Sequence, residues 1–83
     1  MNYSRYGEDG IHILFGEEIK AEVSESIRRF TLFLKSVRLP EIIDFIPSFR
    51  SCLIHFDLRQ TSSEHLIAFL KKSQAKIDRL QIP

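Results

Sequence analysis

Disulfides, membrane spans and a strong charge of either sign are all missing from this sequence, and each absence narrows its function. Cys52 is the one cysteine in 83 residues, so no internal disulfide forms, which fits a reducing cytosol. No apolar run approaches the ~20 residues of a membrane-spanning helix. The opening Met1-Asn2-Tyr3-Ser4-Arg5-Tyr6-Gly7-Glu8 is polar and lacks the apolar stretch of a secretion signal. Twelve Lys and Arg against eleven Asp and Glu leave a net charge of +1, with no long-range pull toward nucleic acid or an anionic membrane. Glycine is sparse, at three residues, and none opens a helix with the spacing of a phosphate-binding loop. Repeats, low-complexity tracts and linker-like stretches are absent too. The expectation is a soluble cytoplasmic protein with no cofactor site, no nucleic-acid partner and no membrane partner.

What the chain does have is apolar material: 43% hydrophobic residues, seven of them Phe. That is enough for one core, and residues 1–83 are expected to form a single domain. A domain of this length buries roughly 60% of its unfolded surface, so its stability margin is modest.

Periodicity orders the elements. Tyr3 to Tyr6 reads as a short strand and Gly7-Glu8-Asp9-Gly10 as a turn. Ile11-His12-Ile13-Leu14-Phe15 reads as a second strand ended by Gly16. From Glu18 the spacing changes: Ile19, Val23, Ile27, Phe30, Leu34 and Val37 recur every three or four residues, predicting a helix stopped by Pro40. Ile42 to Ile46 and Cys52 to Phe56 return to strand character around a Ser48-Phe49-Arg50-Ser51 turn, with Pro47 limiting how far the first can pair. Thr61-Ser62-Ser63-Glu64 has the form of a capping box. A second helix follows, carrying Leu66, Leu70 and Ile77 on one face, and Arg79 to Pro83 reads as extended. The order β-β-α-β-β-α predicts an α+β two-layer sandwich, a four-stranded antiparallel sheet with both helices on one face. A ferredoxin-like arrangement, with a different element order, ranks second.

Such an architecture leaves one sheet face open. Alternation directs Ile11, Ile13, Phe15, Ile43, Phe45, Cys52, Ile54 and Phe56 toward the helices. His12, Leu14, Ile42, Asp44, Ile46, Leu53 and His55 then form the open face, a candidate interaction surface because four of the seven are Leu or Ile. A one-residue slip in any strand would swap the two sets.

Catalytic and metal chemistry find little support. His12 and His55 can approach across the sheet, but two histidines with Asp44 as a third ligand are a weak metal signal against two semi-exposed sheet residues. His65 sits in the first turn of a helix. Cys52 falls on the helix-facing side, where a thiol is inert packing. The stripe of Lys20, Arg28, Arg29 and Lys35 is interrupted by Glu22 and Glu25 and reads as a solvated helix face. Lys71, Lys72 and Lys76 form a smaller basic cluster.

Two stretches, taken together, resemble the amino-terminal domain of the KipI/5-oxoprolinase family, also called allophanate hydrolase subunit 1. Gly7-Glu8-Asp9-Gly10-Ile11-His12-Ile13-Leu14-Phe15-Gly16-Glu17-Glu18-Ile19 is similar to that family's opening pattern, with Glu8 where Asp is usual and Gly10 where Ala is common. Ile46-Pro47-Ser48-Phe49-Arg50-Ser51-Cys52-Leu53-Ile54-His55-Phe56-Asp57 resembles its Pro-Ala/Ser-aromatic-x-Ser hairpin and following strand. Leu39-Pro40 fits, and Ile82-Pro83 resembles the junction to a second, cyclophilin-like domain. The resemblance implies the β-β-α-β-β-α fold and a place in a longer two-domain protein. It also implies partners: that second domain, a companion subunit of an ATP-dependent amide hydrolase that opens 5-oxoproline, or alternatively a sporulation sensor histidine kinase whose autophosphorylation is inhibited. A self-associating module is a third possibility, from outside the family.

Overall fold

The computed structural model describes residues 1–81. Its elements run β1 (Asn2–Arg5), β2 (Gly10–Leu14), α1 (Ala21–Val37), β3 (Ile42–Pro47), β4 (Ser51–Phe56), α2 (Ser63–Lys72) and α3 (Gln74–Asp78). The strands form one antiparallel sheet in the order β1-β2-β4-β3. Each hairpin contributes one central and one edge strand, and α1 links the two hairpins. This is the expected α+β sandwich.

Strict alternation builds the centre of the sheet. Ile11 and Ile13 of β2 and Cys52, Ile54 and Phe56 of β4 are fully buried, while His12, Leu14, Leu53 and His55 between them stay half-exposed. The buried set meets Phe30, Phe33 and Leu34 of α1, Leu66 and Leu70 of α2, and Ile77 of α3 in one core. Phe15 and Phe30 pack edge-to-face at 5.3 Å, and Phe33 and Phe69 stack at 6.2 Å, both within the favourable range for ring pairs. Gly7 closes the β1–β2 turn with φ +69, a left-handed angle that costs glycine nothing, and Tyr6 N–H donates to Gly10 O across it at 2.9 Å.

Three details depart from the periodicity. The β3–β4 register shifts between Ile42 and Asp44, so Ile43 is an extra residue there. Ile42, expected on the open face, therefore lies opposite Phe56 and packs against the core. Ile43, expected inside, is 55% exposed. Next, α1 begins at Ala21, leaving Ile19 outside the helix and 72% exposed. Finally, the second predicted helix is broken at Ser73, whose hydroxyl donates to Phe69 O at 2.9 Å. Such side-chain bonding competes with the helical backbone ladder. Arg79 and Leu80 turn back onto Lys76 O and Ile77 O, so they are not extended; Ile82 and Pro83 lie outside the described residues.

The cap of α2 lies one residue past the expected one. Ser62 is the N-cap, its hydroxyl accepting from His65 N–H at 3.2 Å, whereas Thr61 Oγ1 is buried with no hydrogen-bond partner. Ser62→Ala should cost about 1 kcal/mol in urea unfolding. Thr61→Val, which replaces an unsatisfied hydroxyl by a methyl of the same shape, should cost nothing or stabilise. The reverse order would place the cap at Thr61. Before α2, Asp57 accepts from Arg59 N and Nε and from Gln60 Nε2, and these donors hold its carboxyl well below the usual carboxylate range.

Candidate functional site

The helices cover one side of the sheet, and the other side carries the candidate surface. Cross-strand pairing places His12 opposite Leu53, Leu14 opposite Ser51, Ile46 opposite Leu53 and Asp44 opposite His55. Six of the seven expected residues thus share one face: His12, Leu14, Asp44, Ile46, Leu53 and His55. Ile42 does not, because the bulge turns it inward. Leu14 and Leu53 are half-exposed and Ile46 is 60% exposed. An apolar strip therefore runs across β2, β4 and β3. Beyond it, at the β3–β4 turn, Phe49 projects with 75% of its surface exposed, close to Ile19 of the β2–α1 loop.

The two ends of the face differ in charge. At the β1–β2 turn, His55 Nε2 lies 2.8 Å from Asp9 Oδ2, and its Nδ1 lies 3.8 Å from Asp44 Oδ1. Asp9 is held there by its backbone too, its carbonyl accepting from Phe56 N–H at 2.9 Å. His55 thus sits between two carboxylates, which orient its ring on the open face. His12 is its diagonal neighbour on the adjacent strand. Among the described residues no group of three or more His, Cys, Asp or Glu is arranged to hold a metal ion. At the opposite end the charges are mixed, with the Arg50 guanidinium and the Glu17 carboxylate lining one groove. Arg50 donates from Nη1 to Glu17 O at 2.6 Å, and its own carbonyl accepts from Phe15 N–H at 2.8 Å, so one residue ties the β3–β4 turn to the β2–α1 loop.

Cys52 is buried between the sheet and the helices, and burial pushes its thiol up to about 12. At neutral pH it is a protonated thiol with no nucleophilic character. The basic stripe of α1 also has structural duties: Arg29 Nε donates to Leu80 O at 3.1 Å and pairs with Glu25 at 3.8 Å, and Lys20 pairs with Glu18 at 3.2 Å. His65 is exposed on α2, with its backbone N–H spent on the cap. Asp9 and Arg50 were legible only as turn residues, since their partners lie 46 and 33 positions away. No described helix is long and apolar enough to cross a membrane.

Fold and surface together define a small α+β domain with one sheet face shielded by helices and the other carrying an apolar strip. Residues 1–82 match the carboxyltransferase domain, subdomain C and D, and the chain belongs to that family. The family is the one found in KipI and allophanate hydrolase subunit 1 proteins. Among solved structures, a conserved uncharacterized protein from Pyrococcus horikoshii shares the fold with a TM-score of 0.83 at 21% identity. The match covers 92% of this chain and 35% of that one, so the chain spans about a third of that protein's length. No curated protein matches the chain.

Proposed function

We propose that this chain is a non-catalytic domain of a longer carboxyltransferase-type protein, and that the open face of its sheet docks on a second domain of that protein. The observation that carries the reading is the strip of Leu14, Leu53 and Ile46, with Ile46 60% exposed, on a face that the helices leave bare. Exposed apolar strips on small domains mark contact surfaces. The choice of occupant rests on length: most of the matched Pyrococcus horikoshii chain lies outside the matched region, which is 35% of it. Polarity supports the same reading, because the carboxylates of Asp9 and Asp44 flank one end of the strip and favour a cationic group on the surface that meets it there.

Within the family, the motif resemblance favours a 5-oxoprolinase-type assembly in the cytoplasm, with a companion hydrolase subunit as further partner. In that assembly this domain supplies contact and no acid, base or nucleophile. The one thiol agrees with such a role, since Cys52 is protonated and buried.

The direct test is an amide chemical-shift titration of this chain with the second domain supplied in trans. The expected footprint is Leu14, Ile46, Leu53 and His55, with the solvent faces of α1 and α2 unmoved. A footprint on the helices would overturn the docking surface.

A further inference from the structure

At the Arg50 end of the sheet, the β3–β4 turn and the β2–α1 loop enclose a solvent-open groove of about 470 Å³. Its shape is held by hydrogen bonds to the backbone: Ser48 N–H donates to Ser51 O at 2.7 Å, Phe15 N–H to Arg50 O at 2.8 Å, and the Arg50 side chain to Glu17 O at 2.6 Å. The lining mixes two chemistries. Leu14, Ile19 and Phe49 are apolar, and the last two are 72% and 75% exposed. The polar side chains are rich in unspent donors. Arg50 uses one of its five guanidinium N–H groups within the chain, and among the described residues the hydroxyls of Ser48 and Ser51 and the ring of His12 make no hydrogen bond.

We propose that this groove binds a small monocarboxylate with a short aliphatic tail. The planar fork of Arg50 matches a carboxylate in shape and charge, and the serine hydroxyls and the imidazole N–H supply further donors to its oxygens. Leu14, Ile19 and Phe49 receive the tail. Glu17, whose carboxylate also lines the groove, sets the upper limit on charge. It repels a second negative group, so dianions such as phosphate or a dicarboxylate are disfavoured. The inference does not rest on the docking reading: the groove shares His12 and Leu14 with the open face but is complete in the isolated chain.

The test is an amide chemical-shift titration of the 83-residue chain with butyrate, using butyramide as the neutral isostere. Butyrate should give saturable shifts confined to His12, Leu14–Ile19 and Ser48–Ser51, and butyramide none. Arg50→Gln should weaken butyrate about tenfold or more. Glu17→Gln, which alters a side chain with no bond inside the described fold, should tighten it about threefold. Should Arg50→Gln lose its dispersed spectrum, the Glu17 variant still decides. No saturable shift in the groove, an equal response to butyramide, or an unchanged affinity in Glu17→Gln would each overturn the assignment.

Discussion

Ile54→Ala is expected to remove about 2–5 kcal/mol of folding stability, read as a lower midpoint at unchanged slope in urea unfolding. Ile54 is fully buried at the centre of the sheet, paired with Ile11 on one side and Phe45 on the other. Truncation removes three carbons from a site whose neighbours are held by two ladders, so little relaxation can close the cavity. A domain of this length has on the order of 5–10 kcal/mol in total, so the loss is a large share of the whole. The comparison is Ile43→Ala. Simple alternation makes Ile43 as buried as Ile54, yet it sits on the bulge, 55% exposed, and its truncation should stay within about 0.5 kcal/mol. Similar costs for the two would mean that the bulge is misplaced.

That comparison marks where the sequence stopped being readable. In β2 and β4 the period of two is unbroken, and Ile11, Ile13, Cys52, Ile54 and Phe56 all point where alternation sends them. Both strands are central, so ladders on either side enforce the pleat. On the edge strand β3 one extra residue flips the phase at Ile42 and Ile43, and nothing in Glu41-Ile42-Ile43-Asp44 announces it. Ile19 shows the converse error. It lies four residues before Val23, in helical register, but the chain there follows the Arg50 clamp on Glu17 O and enters α1 only at Ala21. A periodic count sees spacing and misses a tether from a residue 33 positions away.

The candidate surface was legible to the extent that it depended on the central strands. Six of its seven residues share the face, and the apolar strip survives the loss of Ile42 because Leu14, Ile46 and Leu53 carry it. Its charge pattern was not legible. Asp9 read as a turn residue, yet it reaches across to His55 because β2 and β4 are neighbours, and no local motif encodes that adjacency.

Leu14→Lys combined with Leu53→Lys should leave the domain folded and weaken its association with the second domain by about 100-fold or more. Both side chains lie on the open face and are half-exposed, so each lysine can lay its methylene stem along the sheet and keep its ammonium in water. The far-ultraviolet circular dichroism and the urea midpoint should change little. Docking removes that escape, because two ammonium groups then enter an apolar contact. Unpaired charge costs several kcal/mol on burial, and each 1.4 kcal/mol is a factor of about ten in affinity. Ala68→Lys, on the exposed side of α2, adds the same charge away from the proposed contact and should leave affinity unchanged. Affinities measured by calorimetry, with the second domain in trans, separate the cases. A collapsed dichroism spectrum would place Leu14 and Leu53 in the core, and undiminished binding by a folded double variant would move the contact off the sheet.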